Sequence, residues 1–166
     1  MKGSLKAWLP VLLALSLVCC AKPSQIPFER SAVQLHLVSD PNLNLYGGIP
    51  HSLVLCVYQL REPNYFNQTK DEKDGLGKLL DCSRSDPSVT YAKSFSVQPR
   101  QELNQSLDRA EGTWYVGIVA GYSQLQKERV TRLYEIPLSS LFNKPQTLSI
   151  DLNLGPQEIQ EPRGNK

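Results

Sequence analysis

The chain has 166 residues, with 18 Lys and Arg against 16 Asp and Glu, two His and four Cys, which bounds it as one domain of small, nearly balanced charge. A formal net charge of +2 is too weak to make nucleic acid the default ligand, and 40% apolar with 20% charged residues excludes a chain disordered throughout. With 8% aromatic residues and two His, composition also argues against a dense catalytic or metal-rich centre.

The first segment is a targeting signal by its pattern. Met1 to Lys6 carries two positive charges, and Ala7 to Val18 (AWLPVLLALSLV) is an apolar run broken by Pro10 and Ser16. A run of this length falls short of the about 20 helical residues that a bilayer needs, so an integral span is not expected. The run closes on Leu17-Val18-Cys19-Cys20, which resembles the bacterial lipobox, with Leu three residues ahead of Cys20. Cys20 is then the acylated first residue of the mature chain and carries a covalent N-acyl diglyceride. A cut after Val18 would leave Cys19 as the modified residue instead. Several acyl chains hold firmly, since each buried CH₂ contributes about 0.8 kcal/mol. Ala21, rather than Asp, follows the cysteine and resembles the outer-membrane sorting pattern of enterobacterial lipoproteins. Removing residues 1–19 removes Lys2 and Lys6, so the mature chain has 16 basic against 16 acidic side chains.

Residues 20–31 hold two prolines and read as a lipid-anchored tether, after which 32–154 is the expected folded domain. Val33 to Ser39 alternates with period two and is a first strand, with His36 on its more polar face as a solvated residue. Asp40 to His51 (DPNLNLYGGIPH) is crowded with turn formers yet keeps Leu43, Leu45, Tyr46 and Ile49. These apolar side chains either fold back onto the end of the domain or wait for a partner, and exposed apolar groups on a loop are an interaction signal. Leu53 to Leu60 (LVLCVYQL) is apolar on both faces, as a central strand is.

Between Arg61 and Ser85, Asn64 to Asn67 is compatible with one turn. Leu76, Leu79 and Leu80 lie at helical spacing in a segment weakened by Gly75 and Gly77, which predicts a short helix covering the domain's open end. Strands follow at 89–97, 102–107, 114–122, 130–136 and 146–152, seven in all with the first two. The link 108–112 ends in Gly112 and suits a hairpin with positive φ. No twelve-residue helices separate the strands, so the expected architecture is an all-β, antiparallel two-sheet sandwich of seven to eight strands. Residues 155–166 are polar and read as a disordered tail.

Cys56 and Cys82, 26 residues apart, are free to pair in an oxidising periplasm, where a bond would contribute roughly 3 kcal/mol; the alternative is two buried free thiols. With His36 and His51 they show no zinc-ligand spacing, so no metal is expected. There is no GxSxG, Walker loop, HExxH or DxDxDG, and enzyme activity is not expected. Asn67-Gln68-Thr69 and Asn104-Gln105-Ser106 match a glycosylation sequon that a bacterial lipoprotein does not use.

A lipobox, a first strand with Leu35-His36-Leu37, a loop with Leu43-Asn44 ahead of Pro50, Val54 to Leu60, the pair Tyr65-Phe66 and the segment Trp114 to Tyr122 occur here in one order. Together they resemble the type VI secretion lipoprotein family TssJ (SciN, VasD). The resemblance implies a transthyretin-like sandwich without catalytic activity or cofactor. It implies a lipid anchor in the outer membrane and a domain facing the periplasm. It further implies that the lipoprotein holds the periplasmic C-terminal domain of TssM, in a complex with TssL, without nucleic acid or small-molecule substrate. The family's main partner contact maps onto Asn42, Leu43, Asn44, Leu45, Tyr46, Gly47, Gly48 and Ile49. Cys56 and Cys82 depart from the family pattern. Rival readings are another assembly lipoprotein, such as a secretin pilotin, and a periplasmic transthyretin-like ligand-binding domain.

Overall fold

The structure is a computed structural model that describes residues 26–160; the signal segment, Cys20, the tether up to residue 25 and residues 161–166 lie outside the described residues. Among the described residues, eight strands make two sheets of four, packed face to face. The first sheet has the order β4-β1-β7-β8, from β1 (Glu29–Ser39), β4 (Glu102–Arg109), β7 (Leu148–Leu154) and β8 (Ile159–Gln160). The second has the order β3-β2-β5-β6, from β2 (Leu53–Leu60), β3 (Val89–Val97), β5 (Tyr115–Ala120) and β6 (Thr131–Glu135). The expected sandwich is therefore present.

The period-two pattern of β1 sets its register: Val33, Leu35 and Leu37 enter the core between the sheets, opposite Leu53, Leu55 and Val57 of β2. β2 is apolar on both faces because its other face is also covered. Helices α1 (Asn64–Asp71) and α2 (Gly75–Leu80) lie on the outside of the second sheet, where Phe66 and Leu79 bury Cys56, Tyr58, Leu60 and Val119 in a second cluster. The insertion is thus two helices on a sheet face, not one helix over the open end. Phe66 is admitted by Gly117 of β5, where an added Cβ would come within 2.8 Å of the Phe66 ring. The Tyr58 hydroxyl donates to the Leu79 carbonyl at 2.8 Å, and burial pushes its pKa up to about 12. The structure also joins Cys56 to Cys82, with Cα atoms 5.7 Å apart, tying the end of the insertion to β2. A one-turn helix α3 (Lys127–Val130) precedes β6.

Four expectations need correction. β1 pairs antiparallel with β4 but parallel with β7, so the sandwich is not wholly antiparallel. The chain reaches β7 from β6 in the opposite sheet, and no hairpin imposes antiparallel pairing on that strand. The link 108–112 is not a hairpin: β4 and β5 belong to different sheets, and Gly112, with φ +79°, turns a crossover. Fully buried Gln59 fixes that crossover by accepting from the Ala110 N–H at 2.8 Å and the Thr113 hydroxyl at 3.1 Å, while donating to the Asp108 carbonyl at 2.8 Å.

The folded domain also extends beyond 32–154 at both ends. Ile26 is buried and its carbonyl accepts from the Gly112 N–H at 2.7 Å. β1 begins at Glu29 and carries an irregularity between Glu29 and Val33, with Ser31 at φ +53°, which breaks the alternation there. At the other end β8 pairs with β7 and buries Ile159, so the part of the supposed tail up to Gln160 is structured. A two-residue strand with one apolar side chain is too short to display a period.

Candidate partner-binding loop

β1 ends and β2 begins at the same end of the sandwich, and residues 40–52 join them there. Within this loop the Tyr46 and Ile49 backbones exchange two hydrogen bonds of 3.0 Å around Gly47 and Gly48, whose φ values are +59° and +78°. Two successive positive φ angles close a two-residue reverse turn, and glycine occupies both positions without Cβ strain. The turn exposes the side chains that flank it: Tyr46 is 66% and Ile49 62% accessible. The Tyr46 and His51 rings lie 6.4 Å apart in a tilted arrangement on the same loop.

The base of the loop is fixed. Leu43 is completely buried in the main core. Asn44, at φ +47°, donates from Nδ2 to the Ser52 carbonyl at 3.2 Å, and its Oδ1 accepts from the Ser123 N–H at 2.7 Å. The Leu45 N–H donates to the Pro156 carbonyl at 2.8 Å, and the His51 N–H to the Leu43 carbonyl at 3.0 Å. Asn42 is exposed, with its N–H donating to Asp40 Oδ1 at 2.7 Å.

The eight residues marked out in the sequence therefore divide. Leu43 and Asn44 are anchors, Leu45 is half-buried, Gly47 and Gly48 make the turn, and Tyr46 and Ile49 face outward. The sequence reading missed Leu125, an exposed leucine two residues beyond the Ser123 that Asn44 holds. It lines a groove with Lys70 to Gly77 of the helical insertion and Lys127, while Ser123 alone is tied to the loop, by a hydrogen bond across 79 residues that no local pattern could reveal.

His36 is the other group of chemical interest. Its Nε2 and Nδ1 lie 3.0 Å from Glu102 Oε1 and 3.0 Å from Asp151 Oδ1, across β4 and β7 respectively. Hydrogen bonding to Glu102 first, then to Asp151, raises its pKa above the ordinary 6.5. The group lies on the exposed face of the first sheet and is a cross-strand ion pair. No group of three or more His, Cys, Asp or Glu among the described residues is arranged to hold a metal ion. No helix among them is long and apolar enough to cross a membrane.

The sequence profile of the family described as type VI secretion lipoprotein (VasD, EvfM, TssJ) matches residues 31–157. The chain belongs to this family. No curated protein sequence matches it. Among solved structures it is similar to the type VI secretion lipoprotein TssJ1 of Pseudomonas aeruginosa, at 22% identity over 85% of this chain and 98% of that one, with a TM-score of 0.59. Serratia marcescens Lip, a membrane-bound component of the type VI secretion system, is 17% identical over 86% and 99%, with a TM-score of 0.62. A chain of the structure described as the TssM C-terminal domain (869–1107) from EAEC matches at 13% identity over 78% and 97%, with a TM-score of 0.61. These likenesses establish the sandwich as the family's fold.

Proposed function

We propose that the protein ties a periplasm-spanning partner to the outer membrane, holding the periplasmic C-terminal domain of TssM through the loop 40–52 while the lipid on Cys20 anchors the other end, with TssL in the same complex. The observation that carries this reading is the hydrogen-bonded turn at Gly47-Gly48, which leaves Tyr46 and Ile49 exposed although their neighbours Leu43 and Asn44 are buried. An aromatic and a branched aliphatic side chain on a fixed backbone lose little entropy on binding, which suits a hot spot. The role is mechanical: binding and anchoring, with no bond made or broken. Membership of the type VI lipoprotein family, and likeness to a chain of a structure described by the TssM C-terminal domain, support the choice of partner. Tethering confines the loop near its partner, so a modest interface suffices.

The test is calorimetric titration of the TssM periplasmic domain with Tyr46→Ala/Ile49→Ala. Each side chain removed from a hot spot costs more than about 1 kcal/mol, so affinity should fall at least about 30-fold with an unchanged circular dichroism spectrum. Unchanged affinity would refute the loop assignment.

A further inference from the structure

The opposite end of the sandwich carries a second pair of exposed apolar side chains. Between β6 and β7, Leu141 is 84% and Phe142 74% accessible. They are not the tip of a loose loop. Leu138 and Pro145 form an antiparallel bridge, the Ser139 N–H donates to the Lys144 carbonyl at 2.8 Å, and the Asn143 N–H to the Ser139 carbonyl at 3.0 Å. The Lys144 ammonium lies 5.9 Å from the centre of the Phe142 ring. A closed turn thus holds two large apolar groups in water, which costs free energy unless something covers them.

Strand directions place this turn. β1 runs from Glu29 towards the loop at Asp40, and parallel β7 begins beside Val33, so the 137–147 turn lies at the end where the chain enters the fold. Arg109, one of the most deeply buried side chains, couples the two: Nη2 donates to Glu29 at the start of β1, and Nη1 donates to the Gln146 carbonyl at the base of the turn at 3.0 Å. Cys20 precedes Ile26 by six residues, which span at most about 20 Å. A lipid on Cys20 therefore keeps this end, and not the Tyr46 end, within reach of the bilayer.

We propose that the Leu141–Phe142 turn inserts into the phospholipid surface to which the chain is tethered, as a second contact that sets the sandwich upright with Tyr46 and Ile49 pointing away from the membrane. The proposal rests on the reading of Cys20 as the lipid-bearing residue. At this end Arg109 takes up Glu29, and Asp108 and Glu135 offset Lys144 and the exposed Arg30, so insertion depends on apolar burial more than on anionic lipid and persists at high salt. Burial to the about 5–10 Å depth of the acyl boundary is within the reach of two side chains.

The test uses the full lipidated chain in vesicles of phosphatidylethanolamine and phosphatidylglycerol, with an environment-sensitive label on Leu141→Cys or, as a control, on Tyr46→Cys. Acyl-brominated lipid should quench the first label about twofold or more and leave the second unchanged. Adding Phe142→Glu should abolish the quenching while the protein still sediments with vesicles. Sedimentation without quenching at 141 overturns the insertion and leaves the anchor standing; loss of sedimentation overturns both. A shielded label that brominated lipid does not quench, and that responds to protein concentration, assigns the turn to a second copy and also overturns the proposal.

Discussion

Asn44 should determine how firmly the turn that exposes Tyr46 and Ile49 is held. Replacing it with Ala removes two hydrogen bonds, to Ser52 and from Ser123, each contributing about 1 kcal/mol, because Ser52 and Ser123 are exposed and water replaces part of the loss. Ala must also hold φ near +47°, which costs about 1 kcal/mol that Asn tolerates better. The sum is about 3 kcal/mol. Asn44→Gly removes the same two bonds without the steric term and should cost about 1 kcal/mol less than Ala. Asn44→Asp keeps the acceptor for Ser123 but turns a carboxylate oxygen towards the Ser52 carbonyl, and should fall below wild type by the lost bond and that repulsion. The assay is amide hydrogen exchange at Ser123 and Tyr46, with urea unfolding for the global value. A local loss of about 2 kcal/mol speeds exchange roughly 30-fold. Ala and Gly variants of equal stability would refute the positive-φ component, and unaltered exchange at Ser123 would refute the anchor.

Gly117→Ala drives a methyl into the Phe66 ring and should cost about 1–3 kcal/mol in urea unfolding, with Phe66→Leu restoring part of the loss in the double variant; additive losses would disprove the contact. Cys56→Ala/Cys82→Ala, or the wild type in dithiothreitol, opens a 26-residue loop and should lower stability by about 3 kcal/mol, whereas a reductant-insensitive urea midpoint would show the thiols unpaired. For His36, whose pKa is raised by Glu102 and Asp151, the stabilisation is complete below the unfolded value of about 6.5 and disappears as pH rises through the folded value. His36→Gln should therefore cost up to about 1 kcal/mol at pH 5, the limit for an exposed pair, and nothing at pH 9; a deficit of equal size at both pH values would contradict the ion-pair account.

Much of this fold is written in alternation. Val33, Leu35 and Leu37 announce β1, and the two-faced apolarity of Leu53 to Leu60 announces a strand covered on both sides, although not what covers it. The covering element was legible only in part, because Phe66 and Leu79 act through Gly117 and β2, contacts that no local spacing encodes. The crossovers were hidden for a related reason: Gly112 signals a turn of positive φ, but whether the next strand joins the same sheet depends on Gln59, some fifty residues away. In the candidate site the composition of 40–51 marked the loop, yet could not separate Leu43, which is core, from Ile49, which is exposed, since both are aliphatic residues among turn formers. The ends of the domain were misplaced because Ile26 is secured by Gly112, far away in the chain, and Ile159 belongs to a two-residue strand, hairpinned onto Leu154, that is too short to show a period.

Chain order has a mechanical consequence for an anchor. The first described strand, β1, is also the strand that leads into the candidate loop, so under the proposed function tension between a lipid on Cys20 and a partner on the loop would run along its 11 residues, about 35 Å of already extended backbone. Such a load stretches covalent bonds within β1 and acts in shear on the ladders to β4 and β7 that flank it on both sides. Its weak points are the ends, and those are where the buried groups sit: Arg109 on Glu29 at the entry, Leu43 and Asn44 at the exit. A load applied through the C-terminus would instead act on β8, a two-residue edge strand held to β7 at Asn153 and Leu154, which peels one bond at a time. If lipid and partner load the two ends of β1 as proposed, the force acts on a core strand flanked by two ladders, which must shear together rather than peel from an edge.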